Sequence, residues 1–496
     1  MQATQTKNNF MQHFWLALAL GLGFRLISSY FVFGPQALDD YLNQLIPAYK
    51  FSETGVHELP AWRSPLVIWA LGGLLELGKW IGISKPVAQA QFLAAMVGVF
   101  SLTSLWGCLL FFQAVKKPEI GKIALYATAL HGLMPFVSTR FFLESLSMGP
   151  LSLGVGFLIW SVLQNRRMGL ILGLVFLGLA TLIRFQVGML YLATLIWLLC
   201  SHRKWWKEAF LVSFALAIIN AGIDWLDHRP IFSTLIAYIE TNKHIADYGS
   251  EPWYATWVTW LAVGFFPFSL LLLKQWRRLT QPGLRELLGL ALIFVVVHSL
   301  VPHKEERFMY PIFPISIWLW SALWFYSKNL ASSRNFVRPV ILTLNLVLLI
   351  AGCFFNTQLG EIGVPAKMSS LSSRVLYLDR DSLVGAGFMS EYFIRTNSKL
   401  VKADGSPTLE KIKDLLKSNS YEVLAVMTSN PELLPELKLL QNSSTDFLQC
   451  SQVQEESSFI DSLLYKMNPK RNQRRRTTWF VACSEKTWFN SHFVEN

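Results

Sequence analysis

For most of its length the chain alternates long apolar runs with short polar breaks, and that pattern stops after Phe355. Read as helices, the apolar runs fall at about 12–33, 88–114, 120–138, 143–164, 168–183, 185–201, 208–223, 256–274, 284–301, 308–327 and 336–355. Most approach the ~20 residues that a helix needs to cross a hydrocarbon core. The pattern predicts an α-helical polytopic membrane protein with about 11 transmembrane helices. The first run lacks a small-residue cleavage site and reads as an anchor, not a removed signal. A further run, "SPLVIWALGGLLELGKWIGI" (64–83), carries Glu76 and Lys79 and keeps a polar stripe, which predicts a helix lying at the interface.

Beyond Phe355 the segments "RVLYLD" (374–379), "YEVLAVMT" (421–428), "DFLQCSQV" (446–453) and "TTWFVACS" (477–484) read as strands. "LEKIKDLLK" (409–417) and "PELLPELKLL" (431–440) read as helices. The expected organisation is a transmembrane domain over 1–355, a linker over 356–371 and a small α/β domain over 372–496.

Composition agrees, with 52% hydrophobic and only 15% charged residues, against ~25% charged in soluble domains. The net charge of +12 raises the question of nucleic acid. The basic residues, however, gather in short loops: Lys116/Lys117/Lys122, Arg166/Arg167, His202/Arg203/Lys204/Lys207, Lys274/Arg277/Arg278/Arg285 and Lys328/Arg334/Arg338. If every span reverses direction, these five clusters share one side, which the positive-inside rule makes cytoplasmic. The C-terminal domain then lies outside, and "KRNQRRR" (470–476) reads as a tip near anionic headgroups, not a nucleic-acid patch. The five cysteines show no metal-ligand spacing. Cys450 and Cys483, the two outside apolar runs, each sit late in a predicted strand and are expected to form a disulfide.

The unusual chemistry falls on the opposite side. Asp39 and Asp40 follow the first span. They serve either as carboxylates at a helix start or as a general base whose pKa a low-dielectric wall raises. Adjacent helical side chains point ~100° apart, so at most one of the two faces a given centre. Arg63, Arg140, Arg184, His303, Lys304 and Arg307 bring cations to the same side. Singly, each reads as a side chain snorkelling to the headgroups. Converging on one cavity, they would hold an anion, and the anion of a bilayer is a lipid phosphate. Glu305 and Glu306 would neutralise and orient these cations. In the long loop 222–257, Tyr248, Trp253 and Glu251 read either as an interfacial belt or as a platform for a sugar with a hydroxyl partner.

These stretches resemble the Alg9-like mannosyltransferases. "HKEERFMYPIFP" (303–314) resembles the family signature, and "LDDYLNQL" (38–45) its first-loop acidic motif. "RSP" (63–65), "TR" (139–140) before Ser145-Leu146, and "YGSEPWY" (248–254) follow in family order. Family members tend to carry Glu at position 40, His at position 251, and Pro-Thr after Arg184, where this chain has Asp40, Glu251 and Phe185-Gln186. The resemblance implies a GT-C fold and inverting transfer of mannose from a polyprenyl-phosphate donor to a hydroxyl of a glycan or glycolipid. It implies Asp39 as base, with Asp40 second, and Arg63, Arg184, His303, Lys304 and Arg307 at the donor phosphate. Arg140, Tyr248, Glu251, Trp253 and Glu305 would touch substrate. No cofactor or metal is called for, because a phosphate leaving group can be stabilised by arginine and lysine. The expected setting is a bacterial inner membrane with the site facing periplasm, or alternatively an endoplasmic-reticulum membrane with the site facing lumen. The rival class is a transporter or flippase of a lipid-linked sugar, which would favour interrupted helices and paired halves; neither is visible in the sequence.

Overall fold

The computed structural model describes residues 2–32, 41–327, 334–372, 374–379, 392–394, 398–402, 412, 414, 416, 421–442, 445, 448–467 and 477–490. Asp39 and Asp40, the side chain of Tyr248 and the 470–476 run lie outside them. The chain forms two compact units: Met1–Tyr30, Glu58–Ala70 and Ala94–Phe354 make the first, and Phe31–His57, Leu71–Leu93 and Phe355–Asn496 the second.

The chain up to Phe354 is mostly helical. Among the described residues, six helices are long and apolar enough to cross a membrane: Asn9–Phe31, Pro86–Ala114, Leu143–Gln164, Arg203–Leu226, Glu306–Tyr326 and Val337–Phe354. Arg167–Ile183 and Phe185–Ser201 are shorter apolar helices, and Leu284–Leu300 is another of 17 residues. Leu66–Trp80 has only 15 residues, about 22 Å at 1.5 Å per residue.

Leu143–Gln164 packs backbone to backbone on two neighbours. A Cβ on Gly107 would lie 2.3 Å from the Ser152 carbonyl oxygen, and one on Gly156 would lie 2.4 Å from the Gly107 carbonyl oxygen. On its other side, a Cβ on Gly154 would lie 2.8 Å from the Leu177 nitrogen. Such close approach is how small residues let membrane helices pack without a hydrophobic driving force. The contact fixes the helix that carries Glu144 in its first turn.

Two expected spans are interrupted. The 120–138 run forms Pro118–Leu130 and then Met134–Ser138, and the 256–274 run forms Ala255–Val263 and then Phe268–Leu273. This corrects the reading that broken helices are absent. Backbone groups freed in a membrane need new partners, and these come from distant residues. His131 Nε2 lies 3.0 Å from the Val263 carbonyl oxygen. Asn345 accepts from the Gly132 N–H at 2.7 Å and donates to the Leu130 carbonyl at 2.9 Å.

Among the described residues, the second unit contains a six-stranded sheet: β1 (Val375–Asp379), β2 (Lys399–Lys402), β3 (Val423–Thr428), β4 (Leu448–Cys450), β5 (Gln454–Ser457) and β6 (Thr477–Glu485). Its order is β2-β1-β3-β6-β4, with β5 also on β6. β1 is parallel to β2 and β3, and β6 is antiparallel to β3, β4 and β5. Every residue of β1 and β3 is buried, as a central strand covered on both faces requires. Leu437 and Leu440 cover one face. Val364 and Met368 cover the other. The segment expected as a linker over 356–371 therefore contains a helix, Leu359–Leu371, held by the four-residue spacing of those two side chains against Val375 and Tyr377. Cys450 and Cys483 stand directly opposite in the β4–β6 register and are joined as a disulfide, with Cα atoms 4.1 Å apart.

Candidate active site

Three polar loops assigned to one side by the charge pattern come together in the first unit. Arg184 follows the helix Arg167–Ile183, where its backbone turns extended. Its guanidinium pairs with Glu144 at 2.8 Å and donates from Nε to Gln186 Oε1 at 2.9 Å. Gln186 in turn donates to the Phe308 carbonyl at 3.1 Å. Arg307 lies 5.0 Å from the Phe142 ring centre and 5.7 Å from that of Phe308. Residues 138–145, 182–186 and 302–308 are thereby stitched into one cluster.

The "HKEER" segment folds as a clasp. Glu305 is extended and starts the 3-10 turn Glu306–Ile312. Its carboxylate accepts a hydrogen bond from Arg307 Nη2 at 2.9 Å, and its other oxygen lies 2.7 Å from Arg307 Nε as an ion pair. It also meets His303 Nε2 at 3.0 Å. His303 and Arg307 converge through Glu305, not along the face of an α-helix. Burial alone would raise the Glu305 pKa. The Arg307 charge and the bonds from Arg307 and His303 outweigh it, so the carboxyl is held below its ordinary value.

Lys304 turns the other way. Its ammonium donates to the carbonyls of Val301 at 2.5 Å, Glu251 at 3.0 Å and Pro302 at 3.5 Å. The Glu251 N–H returns a bond to Pro302 O at 3.0 Å. Burial lowers the Lys304 pKa and the nearby Glu251 carboxylate opposes that shift. This lysine ties the long loop to the signature segment.

Arg63 stacks 4.2 Å over Trp62. Its carbonyl accepts from Arg229 at 3.0 Å, and Arg229 is itself held by Asp227 at 2.6 Å. Arg140 lies 4.2 Å over Phe136. Trp253 is 65% exposed and meets Tyr254 edge to face at 6.0 Å. Arg63, Arg140, Arg184, Lys304 and Arg307 are each less than a tenth exposed. Snorkelling into solvent does not describe them.

Two charged residues escaped the sequence reading. Glu144, the partner of Arg184, sits between the Thr139-Arg140 pair and Ser145 and carries no role in the sequence expectations; an acid beside a membrane-boundary arginine was the available signal. Arg25 is fully buried within the first apolar helix. It donates to Ser101 Oγ at 2.8 Å and to the carbonyls of Gly21 and Ala129 at 3.1 and 3.3 Å. An arginine in the middle of an apolar run was visible from the start.

Helices of membrane-crossing length, with buried arginines at their ends, define an integral membrane protein built around a polar site. The fold is of the GT-C glycosyltransferase type: it superposes on the crystal structure of ArnT from Cupriavidus metallidurans bound to undecaprenyl phosphate with a TM-score of 0.54, covering 95% of this chain and 98% of that one at 11% identity. The chain belongs to the Alg9-like mannosyltransferase family, whose sequence profile matches residues 41–377. It is 26% identical to GPI mannosyltransferase 3 of Candida albicans over 361 residues, 69% of this chain and 68% of that protein. It is 24% identical to GPI mannosyltransferase 3 of Debaryomyces hansenii over 66% of this chain and 62% of that one. It is 25% identical to alpha-1,2-mannosyltransferase alg9 of Schizosaccharomyces pombe over 39% of this chain and 40% of that one.

Proposed function

We propose that this glycosyltransferase moves mannose, with inversion, from a polyprenyl-phosphate donor to a hydroxyl of a glycan or lipid-linked acceptor. The observation that carries the reading is the buried cluster at the meeting of 138–145, 182–186 and 302–308, where Arg184 and Arg307 are each oriented by one carboxylate. Oriented guanidiniums in a low-dielectric setting are suited to a phosphate oxygen, and they cost no reorganisation as charge develops there. Arg63 and Arg140 join them as donor and substrate contacts. Lys304, committed to three carbonyls, acts as a positioning residue for the Glu251–Trp253 segment. The ArnT structure was determined with undecaprenyl phosphate, which supports a lipid-linked donor here.

In the reaction, a carboxylate of the first loop removes the acceptor hydroxyl proton as that oxygen bonds to C1 of the sugar. The C1–O bond to phosphate breaks on the opposite face, and polyprenyl phosphate leaves with the electron pair. Asp39 is the proposed base and Asp40 the second choice. The fungal GPI and Alg9 relatives favour an endoplasmic-reticulum lumen over the bacterial periplasm that the sequence reading put first.

A transporter gains little from the interrupted helices. Their freed backbone groups are closed by His131 and Asn345, and the cavity of about 380 Å³ beside them is lined mainly by apolar and aromatic residues such as Leu130, Trp320 and Ile341. Replacement Asp39→Asn tests the assignment. Transfer should fall by about 10²–10⁴-fold with donor binding retained. Full activity in that variant, with Asp40→Asn inactive, moves the role one residue along.

A further inference from the structure

The helix Phe459–Met467 turns an apolar stripe away from its own sheet. Phe459, Leu463 and Met467 recur every four residues and are 65%, 42% and 74% exposed. That spacing puts them on one face. Ser458 caps the helix, accepting from the Asp461 N–H at 3.2 Å. It also donates to the Asn356 carbonyl at 2.9 Å. The buried Asp461 carboxylate accepts from the Gln358 N–H. The Phe459 ring lies 5.5 Å from that of Phe355.

All of these anchors fall in the four residues that follow Val337–Phe354, a helix apolar and long enough to cross a membrane. Asn356 also donates to the carbonyl of Phe31 at 2.7 Å, the last residue of a second such helix, Asn9–Phe31. One residue advances the chain by at most ~3.6 Å, so Phe355 cannot leave the level at which the last span ends. Phe459, the first residue of the stripe, is thereby tied to the residue that follows the last span.

We propose that Phe459, Leu463 and Met467 insert into the phospholipid interface and dock the C-terminal domain on the membrane surface. A short amphipathic helix with a large apolar residue at every turn is the form such contacts take. The sequence continues into Lys470, Arg471 and Arg474, a composition that suits anionic headgroups, although the proposed contact comprises the helix alone.

The test uses the full chain in phospholipid nanodiscs, with Cys108, Cys200 and Cys353, the free cysteines, replaced by serine. A fluorophore is attached at Leu463→Cys, and in a second sample at Lys438→Cys on the exposed side of the helix Leu434–Asn442. Quenching is read with aqueous iodide and with lipids carrying a nitroxide near the carbonyl level. The label at 463 should lose iodide quenching and gain nitroxide quenching, while the label at 438 shows the reverse. Iodide quenching of equal strength at both positions overturns the proposal. So does protection at 463 from both quenchers, the signature of a protein contact. If Leu463→Cys fails to fold, Met467→Cys carries the same label and the same outcomes.

Discussion

Glu144 and Arg184 form a buried ion pair at 2.8 Å that ties the start of one helix to the end of the next. Removing one partner leaves the other charge buried and uncompensated, which costs about 3–5 kcal/mol. Glu144→Gln is therefore expected to lower the thermal unfolding midpoint sharply in detergent. The double variant Glu144→Gln/Arg184→Met should recover most of that loss while remaining inactive. Equal unfolding midpoints for the single and double variants would show that the pair is not coupled.

The clasp at Glu305 carries a pH signature. Its folded pKa lies below the ordinary 4.5, so its contribution to stability is complete above the unfolded value and is lost as pH falls through the folded one. Below about pH 4.5, the wild type should lose thermal stability faster than Glu305→Gln, which has no proton to gain at that site. Parallel midpoint curves for the two proteins across this acid range would remove the clasp from the stability account.

Gly107 tests the packing that supports the site. A Cβ there meets the Ser152 carbonyl at 2.3 Å, whereas one on Gly23 meets nothing within 4 Å. Gly107→Ala should destabilise by about 1–3 kcal/mol through overpacking. Gly23→Ala should leave the unfolding midpoint unchanged or slightly raised. Unfolding midpoints for the two variants check both statements.

The sequence carried the helices well, because each apolar run has its own local signature. The charge pattern also placed 138–145, 182–186 and 302–308 on one side, and these loops do meet. What escaped has a common cause. The interruptions at His131 and at Gly264–Pro267 depend on closure from the side chains of Asn345 and His131, and no local pattern announces a partner more than a hundred residues away. The helix Leu359–Leu371 was obscured by Pro365 and scattered glycines, although Val364 and Met368 already had helical spacing. β2 and β5 are four residues each, too short for alternation to register. The acidic motif was legible as a motif, but Asp39 and Asp40 lie outside the described residues.

The Cys450–Cys483 bridge bears on the compartment of the C-terminal domain. Protein denatured directly from its native membrane without reductant should alkylate at Cys108, Cys200 and Cys353 and nowhere else. Reduction should then expose the remaining two thiols. Alkylation of all five before reduction would place this domain in a reducing compartment, contrary to the charge-based topology.

The central claim is that sugar leaves a lipid phosphate in the membrane and is transferred, not merely moved across. Purified protein in nanodiscs can be offered radiolabelled mannose on polyprenyl phosphate or on a nucleotide, with a mannose-terminated glycolipid acceptor, and the product separated by chromatography. Label should enter the acceptor from the polyprenyl-phosphate donor alone, and Arg307→Ala should suppress it. Transfer from the nucleotide sugar, or lipid-linked label that crosses sealed vesicles without ever entering an acceptor, would contradict the account.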